Sequence, residues 1–403
     1  MFPTEDFINR RTQYRFAGQS LSLDLSLGLF SSAGVDTGSM LLLKSVAQQV
    51  PLDELKTILD VGCGAGTLGL ALASRCPQAQ VTMVDRDTMA VDFTRHNARL
   101  NRLKNIHSTT RLMLEGPHKT PYNLILSNFP AKAGDPVLAD YLGESMALLA
   151  PEGISGIVIV HTLAQRCKEL IGEAQGEIIH EDSSKQHTVY LFRGKSQEDH
   201  PILSDSRRLT PYIRYSDVFK LNRSRYTLDT VWNISDFDTL SWRLKLAGDM
   251  IDSEKSRGTL AFWSPGQGHL PAATTSRFGA RPQKVILAGR DTLSLAISRR
   301  NLEKQNGEWE LETHSLADPM LLSSCIEEQE LDLLVTDLDP VSRSEWTEPL
   351  KDTASQIVKP GGRWIILGRS ADLASLLKHS RGWTPLGDKR TRGWRCAMLR
   401  RND

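Results

Sequence analysis

Apolar positions in this chain fall into short runs separated by stretches of helical spacing. Ile58-Leu59-Asp60-Val61, Val81-Thr82-Met83-Val84, Leu124-Ile125-Leu126 and Gly156-Ile157-Val158-Ile159-Val160 read as strands buried on both faces. Between and before them, helices are predicted over about 40–49, 88–101 and 137–149. Leu21-Ser22-Leu23-Asp24-Leu25-Ser26-Leu27 alternates strictly and predicts a half-buried strand or hairpin arm. Thr188-Val189-Tyr190-Leu191-Phe192 reads as an added edge strand. Alternating strands and helices predict an α/β fold built on a doubly wound, mainly parallel sheet.

The pattern then recurs. Arg86-Asp87-Thr88 with His96-Asn97 is echoed by Arg290-Asp291-Thr292 with Arg300-Asn301, both at an offset of 204 residues. Gly64-Ala65-Gly66 is echoed by Gly266-Gln267-Gly268 at 202, and Pro151-Glu152-Gly153 by Pro360-Gly361-Gly362 at 209. Near-constant spacing at three landmarks implies two tandem copies of one unit. The polar stretch Ser196–Ser206 marks the boundary, giving domains over 1–197 and 206–403. A length of 403 residues agrees with two domains.

Composition changes this picture little. The hydrophobic fraction of 40% and charged fraction of 24% are those of a soluble globular protein, and the net charge is only +1. Residues 1–200 carry 19 basic and 22 acidic side chains (−3), and 201–403 carry 30 and 26 (+4), so the second half is mildly basic. Five cysteines without CxxC or metal spacing, no membrane-length apolar run and an acidic N-terminus point to a cytoplasmic protein without a membrane partner. His96, His118, His161 and His187 lack partners at metal spacing, and no metal site is expected. Oligomerisation is not implied.

The chemistry centres on Asp60-Val61-Gly62-Cys63-Gly64-Ala65-Gly66, a strand running into a glycine-rich turn and a helix. Such a turn lets backbone approach a nucleotide-type cofactor, and taken alone it fits adenosylmethionine or NAD. Asp85, at the end of the second strand and 19 residues beyond Gly66, is placed to accept from ribose hydroxyls, with Arg86 beside it. Asn128, ending the next buried strand, should face the same crevice, followed by Phe129 and Pro130. Tyr212–Tyr226 interleaves bases and aromatics, as single-stranded RNA surfaces do, although a hairpin with one solvated face gives the same pattern. The basic tail Lys389, Arg390, Arg392, Arg395, Arg400 and Arg401 is equally ambiguous.

With the lead-in Val35-Asp36-Thr37-Gly38-Ser39 and the extension Lys132–Val137, these motifs resemble the class I S-adenosylmethionine-dependent methyltransferases. Within them the chain is similar to the small methyltransferase domain group that includes tandem-domain ribosomal RNA guanine-N2 methyltransferases. The resemblance implies two Rossmann-like methyltransferase domains, S-adenosyl-L-methionine as cofactor and ribosomal RNA as partner. It implies cofactor contacts from Asp60, Gly62, Cys63, Gly64, Gly66, Asp85, Arg86 and Asn128, and a catalytic segment Asn128-Phe129-Pro130. That segment departs from the usual Asn-Pro-Pro: Phe129 keeps a carbonyl but gives up a rigid ring, and its own ring could stack on a base. In the second copy Phe262 replaces Asp60, Gly289 replaces Asp85 and Asp337 replaces Asn128, so that copy is expected to be a degenerate, non-catalytic methyltransferase-like domain that helps to grip the substrate. Methylation of a protein glutamine or a small molecule, or a cofactor-binding RNA scaffold without turnover, are the alternatives.

Overall fold

A computed structural model describes residues 3–30, 32–118, 120–194, 209–251, 257–277, 279–338, 346–378 and 381–403. The chain divides into two compact units, Pro3–Tyr212 and Ile213–Asp403. The linker expected at 196–206 lies outside the described residues.

The first unit opens with the hairpin β1 (Arg10–Phe16) and β2 (Gln19–Leu25). It continues through α1 (Thr37–Gln49), β3 (Thr57–Val61), α2 (Thr67–Arg75), β4 (Gln80–Asp85), α3 (Thr88–Leu100), β5 (Ile106–Thr110) and β6 (Tyr122–Asn128). It closes with α4 (Asp135–Ala147), β7 (Leu149–Val160), α5 (Ala164–Glu173), β8 (Glu177–Ser183) and β9 (His187–Arg193). The sheet order is β5-β4-β3-β6-β7-β9-β8, parallel from β5 to β7, with β9 antiparallel to β7 and β8 antiparallel to β9. The 188–192 segment is therefore an inner strand. The edge is β8, whose mostly solvated side chains carry no buried pattern to reveal it, whereas Val189–Phe192 is fully buried.

The second unit repeats this design. It contains β10 (Ile213–Leu221), β11 (Ser224–Val231), α6 (Trp242–Ile251), β12 (Arg257–Trp263), α7 (His269–Thr275), β13 (Arg281–Gly289), α8 (Thr292–Glu303) and β14 (Glu310–Ser315). It ends with β15 (Leu331–Asp337), α9 (Thr347–Ile357), β16 (Val358–Arg369), α10 (Ser370–Leu377), β17 (Trp383–Thr391) and β18 (Trp394–Arg401). Its sheet order, β14-β13-β12-β15-β16-β18-β17, is the same. Both units are Rossmann-like, as the sequence repeat predicts. Among the described residues no helix is long and apolar enough to cross a membrane.

The repeated residues turn out to be scaffold. Asp87 and Asp291 are matching N-caps, accepting from the amides of Met89 and Leu293. Asn97 is fully buried in α3, donates to the carbonyls of Asp24 and Ala65, and accepts from the amide of Asp24. Asn301 in α8 does the same with Asp229 and Gln267. Each asparagine thus ties its unit's leading hairpin to the glycine turn. Asp24 is further gripped by Arg11 and His96, and Asp229 by Arg300 and Lys304. Asn97→Ala would strand three buried backbone groups and is expected to cost about 2–4 kcal/mol, read as an earlier urea transition for the first unit.

The basic–aromatic segment 212–226 becomes the β10–β11 hairpin. Phe219 and Tyr226 stack on each other and pack against His269 in the core, while Lys220 and Arg225 point to solvent. Tyr212, Phe219 and Tyr226 are buried and offer no stacking surface to RNA, whereas Tyr215 is half-buried, with its hydroxyl on Asp238 and its ring 5.8 Å from the Arg214 guanidinium.

Candidate functional site

The turn between β3 and α2 contains two kinds of glycine. Gly64 has φ +55°, and a Cβ built there would meet nothing within 4 Å, so the backbone faces open space. Gly62 is similar at φ +77°. Gly66, at φ +99°, is needed for packing, because its Cβ would fall 2.6 Å from a Leu70 methyl. The first pair leaves room for a ligand, and Gly66 brings α2 against the sheet. Cys63 is buried in the turn with its Sγ 3.4 Å from Thr94 Oγ1, and burial pushes its thiol well up, so it is packing rather than a nucleophile.

Asp60 lies on β3 behind the turn with no exposed surface. Its Oδ2 accepts from the amide of Gly69 at 2.8 Å, in the first turn of α2. Gly66 has no side chain to cap that helix, so Asp60 supplies the acceptor from the strand. Its Oδ1 makes no hydrogen bond with any described residue. Burial, opposed by the Gly69 amide and helped by the charge of Asp85, pushes its carboxyl up to about 7. Tyr14 from β1 closes the far side by donating to the carbonyl of Thr67 at 2.7 Å.

Asp85 ends β4. Its Oδ2 accepts from the amide of Gly64 and its Oδ1 from that of Asp87, both at 2.9 Å, so it bridges the glycine turn and the start of α3. Burial raises it to about 6 against these hydrogen bonds. The half-buried Arg86 beside it pulls in the opposite direction.

Asn128 ends β6 beside the turn. Its Nδ2 donates to Asp36 Oδ1 at 3.0 Å and to Ser39 Oγ at 3.1 Å. Asp36 caps α1 by accepting from the Ser39 amide at 2.9 Å. A carboxylate cannot donate, so this pairing fixes which end of the Asn128 amide is nitrogen and leaves Oδ1 as an acceptor. Phe129 differs from the sequence expectation: its ring is buried and packs on Tyr141 at 5.4 Å, so it cannot stack on a base. Its amide is used by the carbonyl of Val158, and what it can offer the site is its own carbonyl. Pro130 is exposed, and its carbonyl accepts from Ala133 in the following turn.

One cavity joins these parts. It is lined by Gly62, Cys63, Gly64 and Ala65 of the turn, Thr67 and Leu68 of α2, Asp36 and Ser39 at the start of α1, Asn128, and Leu25 and Phe30. Asp60 and Asp85 stand behind the turn rather than in this wall. Leu25 and Phe30 were missed by sequence reasoning. The only sequence signal for Phe30 is a large apolar residue in a Gly/Ser-rich loop, and it is 74% exposed.

The second unit keeps the bend and loses the site. Gly266 and Gly268 retain positive φ, but Phe262 stands for Asp60, and Pro271 stands where Gly69 offered its amide. The acceptor and its donor have gone together. At the position of Asn128, Asp337 is neutralised by Arg243, which also reaches Asp236.

Residues 21–190 match the family model of the methyltransferase small domain. The ribosomal RNA small subunit methyltransferase C of Hamiltonella defensa is 35% identical over 127 residues, covering 31% of this chain and 36% of that protein. The protein of the same name from Haemophilus influenzae (strain PittGG) is 32% identical over 124 residues, with the same shares. The chain thus spans about a third of the length of these relatives. The uncharacterized protein YbxB of Bacillus subtilis is 31% identical over 153 residues, covering 38% of this chain and 75% of that protein. Among solved structures, the T. thermophilus 16S rRNA N2 G1207 methyltransferase (RsmC), in complex with AdoMet and guanosine, superposes with a TM-score of 0.64 at 18% identity. Both chains are covered completely, and the tandem fold is the same.

Proposed function

The chain belongs to the methyltransferase small domain family, and from that premise we propose that it is a cytoplasmic S-adenosylmethionine-dependent methyltransferase. Its first unit methylates an exocyclic amine of RNA, with guanine N2 of ribosomal RNA as the target. The observation that carries this reading is the Asn128 amide, held by Asp36 and Ser39 with its oxygen free beside the glycine turn. Two ribosomal RNA methyltransferases among its relatives, and the tandem guanine-N2 methyltransferase that shares its fold, support the choice of substrate.

The residues fit the cofactor. The open space over Gly62 and Gly64 accepts a ligand where a Cβ would intrude, and the unpartnered Asp60 Oδ1 matches an ammonium group. Asp85 keeps lone pairs for ribose hydroxyls beyond the two amides it already accepts. When bound, S-adenosylmethionine supplies a methyl group on a sulfonium, ready for in-line displacement. The chain's work is orientation. Asn128 Oδ1 and the Phe129 carbonyl accept the two N–H bonds of the amine, turning its lone pair toward the methyl carbon. A base within a helix must first be flipped out to reach them.

Raised carboxyls make the site pH-sensitive. Asp60 and Asp85 sit above their ordinary value of 3.8, at about 7 and about 6, so their protonated forms favour folding. That contribution is complete below about pH 4 and is lost as pH rises through 6 and 7. The ligand-free protein is therefore expected to be less stable at pH 8 than at pH 5.5. Asp60→Asn, which keeps the acceptor for Gly69, should remove about 2 kcal/mol of that difference. An ammonium ligand favours the anion, so cofactor affinity should rise with pH across 6–8 in calorimetry, and a flat profile would exclude Asp60 as its partner.

The proposal is tested by incubating the chain and labelled S-adenosylmethionine with RNA and protein fractions from cells lacking it. Label in RNA is expected, and label confined to protein would favour a glutamine-amide target.

A further inference from the structure

In the second unit, the edge that corresponds to the first unit's ligand edge has been rebuilt rather than simply lost. It gathers the start of α6, the ends of β15 and β16, and the β17–β18 turn. Trp242, 42% exposed, lies between Lys245 Nζ at 4.8 Å and the Arg392 guanidinium at 4.4 Å from its ring centre. The half-buried Trp394 ring, packed in part on the core, is approached by Arg369 at 5.1 Å and Arg243 at 5.7 Å.

The charges on this patch divide in two. Arg243 is committed to Asp337 and Asp236. Farther along the basic tail, Arg390 and Arg395 pair with Asp388, and Lys389 pairs with Asp249. Lys245, Arg369 and Arg392 are exposed and form no ion pair with a described residue. A surface of indole rings interleaved with uncommitted cations has the chemistry of a single-strand RNA platform. Bases stack on rings and guanidinium planes, and phosphates meet the cations. A protein partner would more often meet aromatics within a desolvated, charge-poor centre, which this patch lacks.

We propose that this edge of the second unit binds a single-stranded segment of the RNA substrate, with Trp242 and Trp394 as stacking platforms and Lys245, Arg369 and Arg392 as phosphate contacts. The inference rests on the RNA reading of the first unit and assigns a role to the copy that has lost its cofactor groups.

The test uses the full chain and a fluorescent single-stranded RNA oligonucleotide, with anisotropy read over a range of salt concentrations. Arg369→Glu with Arg392→Glu should weaken binding at least about tenfold and lower the salt slope by about 1.4, as expected for two lost phosphate contacts on a single strand. Trp242→Ala should weaken binding by about 5- to 100-fold, whereas Trp242→Phe should restore most of it. All of these side chains are at the surface, and unchanged melting and unchanged S-adenosylmethionine binding would show the variants are folded. Binding within twofold of wild type for every variant would overturn the proposal. The assay reads no methyl transfer, so patch-dependent binding without any methylated RNA would count against the function proposed for the first unit alone.

Discussion

Asn128→Ala is expected to abolish most methyl transfer while leaving S-adenosylmethionine binding within a few-fold of wild type. Its amide is aimed by two partners, Asp36 and Ser39, and the oxygen left without a partner is the acceptor proposed to orient the amine. Removing one oriented polar group from a reacting site commonly costs about 10²–10³-fold in rate. Asn128→Asp should do no better, because a carboxylate would stand about 3 Å from Asp36 with no proton to share. Asp36→Ala separates positioning from contact. It leaves Asn128 in place and frees its amide to rotate, so kcat should fall while KM for RNA changes less. Loss of cofactor affinity in Asn128→Ala, with turnover preserved at saturation, would assign Asn128 to cofactor binding alone.

Gly64→Val should have an effect of similar size for a different reason. Valine at φ +55° carries backbone strain on the order of 1–3 kcal/mol, and its side chain projects into the space left for the cofactor. Displacing a reacting group by an ångström costs about 100-fold, so methyl transfer should drop by at least that factor. The duplication provides the control. Gly266, its counterpart in the second unit, has φ +61° and equally open surroundings. Gly266→Val should therefore carry comparable strain and leave cofactor binding unchanged. Equal loss of cofactor affinity in the two variants, measured by calorimetry, would mean that the second unit also holds a ligand.

Much of this organisation was legible in the sequence because strand hydrophobicity and glycine spacing are local. The β3–turn–α2 element, Asp85 at the end of β4 and the tandem repeat all follow from patterns within one or two elements. What was not legible depends on partners far away in the chain. The orientation of Asn128 is set by Asp36 and Ser39, 92 and 89 residues earlier. Phe129 reads as an exposed ring after a strand, but α4 brings Tyr141 over it and buries it. Of the aromatics in 212–226, Tyr212, Phe219 and Tyr226 are buried, while the aromatic–cation pairs at the other edge join the exposed Trp242 to Arg392 and the half-buried Trp394 to Arg369, partners that sequence separates widely. The repeated Asp-Thr and Asn landmarks revealed the duplication because they are scaffold, retained where the ligand groups were free to change.

The first unit is proposed to transfer a methyl group to an exocyclic amine of RNA through Asn128. The most direct test is to incubate ribosomal RNA from cells lacking the protein with labelled S-adenosylmethionine and either the wild-type chain or Asn128→Ala, then digest the RNA to nucleosides. Label is expected in N2-methylguanosine with the wild type and almost none with Asn128→Ala. Label in another nucleoside, or equal labelling by both proteins, would contradict this role.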